Sequence, residues 1–266
     1  MFRDKEKISC IIKIIVRTNK NIQQTISTQD RVTISFHHFD NKRDTVIILA
    51  HGFYNSKDAV LFRQMGQALA ADYDVMVMDF RGHGQSGGRF TFGAKEHLDM
   101  LAVVDYAKAR YARIGVIGFS MGAAAAIIAS AQSSAINSLI AVCAPTEFRK
   151  IEFNIFKMGF AENVTYNLFQ EGRVGKGVRL GNPFLKKIRP FDAINDVRIP
   201  VFFIHGQKDW LIYPWHSQAL FEKKKGVKKI YSFENGTHAE YLFRSFPQEL
   251  LRLFISWFQE TIPVRM

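Results

Sequence analysis

Short apolar runs alternate with longer amphipathic stretches over most of the chain. Five continuous runs stand out: Val46–Ala50, Val75–Met78, Ile114–Ile117, Leu139–Cys143 and Val201–Ile204. Runs of this length without polar interruption are typical of strands that are covered on both faces, as in a parallel sheet. A further strand is predicted at Lys229–Phe233, directly before a turn-forming segment.

Two strands are predicted ahead of these runs, at Ile11–Val16 and Val32–Phe36. Apolar and hydroxyl side chains alternate along the second, which is the period of a half-exposed strand. The first follows basic residues, as a signal peptide would, but Lys13 interrupts it and no small-residue cleavage site comes after it. It is also too short to span a bilayer, which needs about 20 apolar residues. We therefore predict a strand and a cytoplasmic protein.

Helical periodicity fills the intervals between the predicted strands. The C-terminal helix is the clearest, because five apolar residues repeat at i, i+3, i+4, i+7 and i+8: Leu250, Leu253, Phe254, Trp257 and Phe258. Other helices are predicted at 57–71, 94–110, 121–131 and 215–224. Strands that alternate with helices imply βαβ units, and hence an α/β domain with a parallel sheet and a mixed N-terminal edge.

This alternation breaks once, between Pro145 and Pro190. We predict one core domain formed by residues 1–145 and 190–266, with a lid insertion at 146–189. An insertion between two core strands is suited to cover a site at the strands' C-terminal ends. Six aromatic residues of the lid either line an apolar pocket or bury the lid against the core: Phe148, Phe153, Phe156, Phe160, Tyr166 and Phe169.

Composition and net charge indicate which kinds of partner the protein could bind, but they say little about any reaction that it catalyses. The 266 residues are 47% hydrophobic and 23% charged, which excludes a disordered chain, and the net charge is +12. Such a charge favours anionic surroundings, either a membrane surface or a negatively charged substrate, although a solvated basic face explains it equally. The lysine cluster at 223–229 has no accompanying nucleic-acid motif, so no specific nucleic-acid binding is predicted.

The two cysteines, Cys10 and Cys143, form no CxxC pair and no Cys/His cluster. We therefore predict neither a zinc site nor a disulfide framework. Cys143 lies in an apolar run, where a buried thiol behaves as a small hydrophobic residue.

The candidate nucleophile is Ser120, in the segment Gly118-Phe119-Ser120-Met121-Gly122. A predicted strand precedes this GxSxG motif and an alanine-rich helix follows it, which is the context that gives so short a motif its meaning. The glycines allow strand and helix to pass closely, so the serine hydroxyl is exposed at the edge of the sheet. The Met121 N–H, at the start of the helix, would face an oxyanion formed there.

A serine hydroxyl needs a base, and His238 is the strongest candidate among the eight histidines. It follows the predicted strand Lys229–Phe233 within a turn, so it would lie at a strand's C-terminal end. Asp209 has the same relation to the run Val201–Ile204 and would orient the imidazole. Asp79 and Glu240 are the competing carboxylates. We interpret Asp79 as ordering its own loop and Glu240 as starting the final helix, where a carboxylate interacts favourably with the helix dipole.

With these residues in hand, the chain resembles the α/β-hydrolase superfamily, and within it the small bacterial esterases, monoacylglycerol lipase-like enzymes and serine aminopeptidase relatives. The resemblance runs from Thr45 onward and includes a D-x-R-G-H-G-x-S segment that begins at Asp79, the acid motif His205-Gly206-x-x-Asp209 and the base motif His238-Ala239-Glu240. It implies a mostly parallel eight-stranded sheet and the chain order Ser, Asp, His.

The resemblance also implies a function. The loop after Val46–Ala50 would supply a second oxyanion donor, and we expect it to be the Phe53 N–H, acting with that of Met121, while His51 fixes the loop. A small acyl compound would be cleaved through an acyl-enzyme on Ser120, with no metal and no organic cofactor. A carboxylic ester is the leading substrate; a peptide, a thioester, or binding without catalysis are the alternatives. The sequence does not indicate an oligomeric state.

Overall fold

The computed structural model describes residues 21–148 and 178–262. Its described part contains one sheet with the strand order β1-β2-β4-β3-β5-β6-β7-β8. The strands are β1 (Asn21–Ser27), β2 (Thr33–Phe39), β3 (Thr45–Ala50), β4 (Asp74–Met78), β5 (Arg113–Phe119), β6 (Ser138–Val142), β7 (Val201–Gly206) and β8 (Lys228–Phe233). β1 and β2 are antiparallel to their neighbours and the remaining pairs are parallel. The predicted eight-stranded, mostly parallel sheet is confirmed.

Helices cover both faces of this sheet. Those described are α1 (Val60–Leu69), α2 (Glu96–Lys108), α3 (Met121–Gln132), α4 (Pro190–Ala193), α5 (Trp215–Lys223), α6 (Glu240–Ser245) and α7 (Pro247–Thr261). None of them, over the residues searched, is long and apolar enough to cross a membrane.

The alternation of side chains along β3 explains why the central strands are apolar at every position. Val46 and Ile48 pack in a core with α2 and α3, whereas Ile47 and Leu49 pack in a second core with α1 and α7. Both faces of the strand are therefore buried, and each strand from β3 to β7 needs an apolar side chain on either side.

The N-terminal edge differs from the sequence prediction. The first described strand, β1, covers Asn21–Ser27, a stretch where no strand was predicted, and the predicted strand at Ile11–Val16 lies outside the described residues. Among the described strands, β1 pairs with β2 alone, and its Ile22 is partly exposed. An edge strand with exposed polar positions carries little of the apolar pattern on which the prediction relied.

Of the predicted lid, the structure describes 146–148 and 178–189; residues 149–177 and five of the six lid aromatics lie outside the described ranges. The sixth, Phe148, is buried and lies against Gly93. The returning chain pairs with the loop after β4, since Phe90 donates its N–H to the Arg179 carbonyl at 2.8 Å. The domain boundaries themselves stay a prediction.

Candidate active site

Ser120 occupies the tight turn between β5 and α3. Its φ of 51° and ψ of −112° lie outside the regions that residues with a side chain normally adopt. The surroundings hold this conformation: the Ser120 N–H donates to the Val142 carbonyl at 2.8 Å. Glycine is required on either side, because a Cβ on Gly118 would lie 2.5 Å from the Gly122 carbonyl oxygen.

Asp209 follows β7 and is buried, with both carboxylate oxygens engaged. Oδ1 accepts the backbone N–H groups of Leu211 and Ile212 at 3.0 and 2.9 Å. Oδ2 lies 2.7 Å from His238 Nδ1 and 3.2 Å from His205 Nε2. The two backbone donors fix the plane of the carboxylate, so one oxygen remains aimed at His238.

His238 lies in the turn between β8 and α6 and connects the other two groups. Its Nε2 is 3.0 Å from Ser120 Oγ, while its Nδ1 contacts Asp209. The ionised carboxylate can only accept, so Nδ1 carries the proton and Nε2 is free to accept from the serine hydroxyl. Three residues that the sequence placed in separate motifs thus form one hydrogen-bonded chain across the carboxyl ends of β5, β7 and β8.

The charges within this chain support one another. Burial alone would raise the pKa of Asp209, but the charge and hydrogen bonds of His238 and His205 outweigh it and hold that pKa well below its ordinary value. Burial would likewise lower the pKa of His238, yet the nearby Asp209 carboxylate, aided by Glu240, raises it above the usual 6.5. The site therefore stabilises a protonated imidazole.

Of the two predicted oxyanion donors, Phe53 lies in the loop after β3 and Met121 is the first residue of α3, next to Ser120. Neither backbone N–H has a hydrogen-bond partner within the ranges described. The loop of Phe53 approaches the nucleophile closely, since a Cβ on Gly52 would lie 3.4 Å from Ser120 Cβ. Both donors are thus available for a negatively charged oxygen beside Ser120.

His51 ties the Phe53 loop to the sheet. Its Nδ1 donates to the Gly52 carbonyl at 2.6 Å and its Nε2 accepts the Phe80 N–H at 3.2 Å. Burial lowers the pKa of His51 to about 4, so the ring is neutral at physiological pH. These contacts agree with a role in loop geometry rather than proton transfer.

Neither of the two competing carboxylates is hydrogen-bonded to His238; their hydrogen bonds go to other groups. Asp79 accepts the Lys57 N–H at 2.6 Å and the Gln85 N–H at 2.9 Å, which ties two loops together. Glu240 starts the short helix α6 and not the final helix, which begins at Pro247, and its Oε1 accepts a hydrogen bond from Asn55 Nδ2 at 2.8 Å.

Sequence reasoning missed Asn55 and the position of Cys143. The Cys143 thiol accepts the Ala239 N–H at 3.1 Å and lies within 4.8 Å of ligand atoms of both Asp209 and His238. The sequence did carry one signal for Cys143: it directly follows β6, so it lies at the same edge of the sheet as Ser120. Asn55 had none, because its partner lies 185 residues further along the chain.

Two groups in the described part have the residue types of a metal site: Cys143 with Asp209 and His238, and His38 with Asp40 and Asp74. In the first, hydrogen bonds already join the acid and the base. In the second, the Tyr111 hydroxyl lies between His38 Nε2 and Asp74 Oδ2, at 2.6 and 2.8 Å. Hydrogen bonds thus account for the proximity of the side chains in both groups.

Comparison with known proteins agrees with this architecture. The sequence model for the alpha/beta hydrolase fold matches residues 45–181, more than half of the 266 residues. The chain belongs to the α/β-hydrolase fold family. The uncharacterized protein YqkD of Bacillus subtilis (strain 168) is 32% identical over 183 residues, which are 63% of this chain and 56% of that protein. The match therefore spans little more than half the length of that relative.

Solved structures of other α/β-hydrolases superpose over nearly the whole chain. The Pyrococcus furiosus esterase Pf2001 is 26% identical, with a TM-score of 0.75 over 92% of this chain and 94% of that one. The esterase RhEst1 from Rhodococcus sp. ECU1013 has a TM-score of 0.70 over 90% and 99%, but at 17% identity it shows the fold alone. An α/β-hydrolase core with esterases among its structural neighbours supports a hydrolase.

Proposed function

We propose that this α/β-hydrolase is a serine hydrolase that cleaves carboxylic esters of small or lipid-like acyl compounds. The observation that supports the proposal is the unbroken hydrogen-bonded chain from Asp209 through His238 to Ser120, with distances of 2.7 and 3.0 Å. In this arrangement Ser120 is the nucleophile, His238 the general base and Asp209 the group that orients the imidazole.

Acylation begins when Ser120 Oγ attacks the ester carbonyl carbon and His238 Nε2 takes the hydroxyl proton. The Phe53 and Met121 N–H groups stabilise the resulting oxyanion, and Asp209 stabilises the imidazolium. The tetrahedral intermediate then collapses: the bond to the leaving oxygen breaks, His238 returns its proton to that oxygen, and the alcohol departs.

Deacylation repeats the sequence with water. His238 removes a proton from a water molecule, which attacks the acyl carbon on Ser120. Collapse of the second intermediate releases the carboxylic acid and returns the proton to Ser120 Oγ. Ester and water thus give acid and alcohol, and every proton passes through His238.

A panel of three substrate classes tests the reaction type. We expect turnover of p-nitrophenyl esters by the wild type and none by Ser120→Ala. Aminoacyl anilides and acyl-coenzyme A represent the peptidase and thioesterase alternatives, and faster turnover of either would replace the ester assignment. Folded wild-type protein that turns over none of the three would favour a binding protein.

We also propose that the protein binds an anionic membrane surface and encounters its substrate there. The support is a basic, apolar segment on the returning chain, where Phe184 is 92% exposed and Lys186 and Arg189 follow it. Exposed aromatic and basic side chains together suit lipid headgroups. Vesicles with phosphatidylglycerol should sediment the protein whereas pure phosphatidylcholine should not, and Phe184→Ser should weaken the effect. If equal amounts of protein sediment with both vesicle types, the proposed membrane binding is contradicted.

A further inference from the structure

One hydrogen bond joins the loop that follows β3 to the turn that carries His238. Asn55 Nδ2 donates to Glu240 Oε1 at 2.8 Å, across 185 residues of sequence. On the β3 side, the Asn55 N–H donates to the Gly52 carbonyl at 3.3 Å, so Asn55 belongs to the same small loop as Phe53. On the other side, Glu240 comes two residues after His238. The bond therefore ties the proposed oxyanion loop to the proposed base.

The second oxygen of Glu240 faces the nucleophile without a partner. Oε2 is buried and accepts no hydrogen bond from any described residue. A Cβ built on Gly52 would lie 3.3 Å from this oxygen and 3.4 Å from Ser120 Cβ, so both groups border the space above the Gly52 Cα. A buried carboxylate oxygen that lacks a donor destabilises a fold unless a positive charge compensates it.

His238 is the group beside Glu240 that acquires a positive charge. The ionisable groups around its ring are Asp209 from the loop after β7, Glu240 from α6 and the Cys143 thiol after β6, with the Ser120 hydroxyl at Nε2. Both carboxylates, Asp209 first and Glu240 second, act against burial to raise the pKa of His238. Asp209 contacts the ring directly, whereas Glu240 acts through space.

We propose that Glu240 is a positioning residue with two separable actions. Through Asn55 it holds the loop of Phe53 against the histidine turn, and through the charge on Oε2 it stabilises His238 in the protonated form that arises at each chemical step. This inference rests on the proposed serine-hydrolase function.

Two variants separate these actions. Glu240→Gln keeps an amide oxygen that can accept from Asn55 but removes the charge. We expect the acid limb of kcat/KM to move to lower pH and kcat to fall several-fold, because the protonated imidazole loses the stabilising charge of Glu240. Asn55→Ala keeps the charge but removes the tether. It should leave the acid limb in place and lower kcat about tenfold or more at unchanged KM, because the loop is misplaced.

Glu234→Gln is the matched control, because it removes the same charge from an exposed residue of the same turn. It should match the wild type in both kcat and pH profile. Titration of the His238 ring by NMR gives its pKa without any turnover, and should show the same downward shift in Glu240→Gln.

The outcomes distinguish this inference from the proposed function. If Ser120→Ala is inactive but Glu240→Gln has the wild-type acid limb and the wild-type NMR pKa of His238, the role of Glu240 is refuted and the proposed function stands. If Ser120→Ala keeps full turnover, the proposed function fails regardless of Glu240. A kcat loss in Glu240→Gln that Glu234→Gln reproduces would also overturn the inference.

Discussion

Two buried aspartates follow parallel strands of this sheet, and their carboxylate oxygens are hydrogen-bonded to different kinds of partner. Asp79 comes directly after β4, and backbone N–H groups of Lys57 and Gln85 bind one oxygen each, while Lys57 Nζ lies 3.3 Å from the second. Asp209 comes shortly after β7, and its two backbone donors share a single oxygen. The other oxygen of Asp209 is left for His238.

The two carboxyl groups also differ in the direction in which their surroundings shift the pKa. Burial raises the pKa of Asp79, which Lys57 and the backbone donors only partly offset. The pKa of Asp209 is lowered, because His238 and His205 more than offset burial. Position at a strand end therefore does not make an aspartate part of a reactive site. What distinguishes Asp209 is its contact with His238, an imidazole whose other nitrogen lies 3.0 Å from a hydroxyl group, Ser120 Oγ.

His238→Ala removes the imidazole that is hydrogen-bonded to Asp209 and has no counterpart at Asp79. Of the changes considered, it should have the largest effect on kcat. We expect kcat to fall by about 10⁶-fold, because a triad acts as a unit. Folding should stay nearly intact. Ester hydrolysis and a thermal melt, measured on the same preparation, test both statements. A variant that keeps most of its activity would mean that another group is the base.

Asp209→Asn sharpens the comparison, because the amide keeps the shape but stabilises neither the tautomer nor the charge of His238. A loss of about 10⁴-fold in kcat is expected. Asp79→Asn is the matched control, and folded Asp79→Asn should keep kcat within about tenfold of the wild type, since Asp79 contacts no reacting group. Equal losses from the two substitutions would break the distinction between the aspartates.

Asp79→Asn should lower the stability of the fold even though it leaves kcat nearly unchanged. Asp79→Asn leaves the buried Lys57 ammonium with only Asp58, whose Oδ2 lies 2.5 Å from Lys57 Nζ. We expect the free energy of unfolding to fall by about 3 kcal/mol, the lower end of the cost of removing one member of a buried ion pair. Urea denaturation of this variant and of the wild type provides the measurement, and a more stable Asp79→Asn would contradict the structural role.

The smallest effect is the pH dependence of the wild type. Because the neutral form of His238 is the base and its pKa is raised, the acid limb of kcat/KM should lie above pH 6.5. Below that pKa the rate should fall about tenfold per pH unit. An acid limb clearly below pH 6.5 would show that the Asp209 contact does not raise the pKa of His238.

Patterns in the sequence predicted those features that depend on residues close together in the chain, such as buried strands and tight turns. The run Val46–Ala50 marks β3 to within one residue, because burial on both faces requires an apolar side chain at every position. The tight turn that holds Ser120 was predicted in the same way, since the close approach of Gly118 and Gly122 requires a motif of fixed spacing.

Features that depend on long-range contact were not predictable. Within residues 21–148 and 178–262, β1 has one partner strand and exposed positions, and its sequence alternates weakly. The contacts of Asn55 with Glu240 and of Cys143 with Ala239 join residues 185 and 96 positions apart, and nothing near either residue encodes its partner. Such contacts arise only once the sheet aligns the ends of its strands.

Labelling with a fluorophosphonate probe, followed by peptide mass spectrometry, tests the central claim most directly. The probe reacts with a serine only when a neighbouring base activates its hydroxyl. We expect one adduct, on Ser120, in the wild type, a strongly reduced amount in His238→Ala and none in Ser120→Ala. Wild-type protein that is folded but unlabelled, or labelled equally in His238→Ala, would contradict a hydroxyl activated by His238.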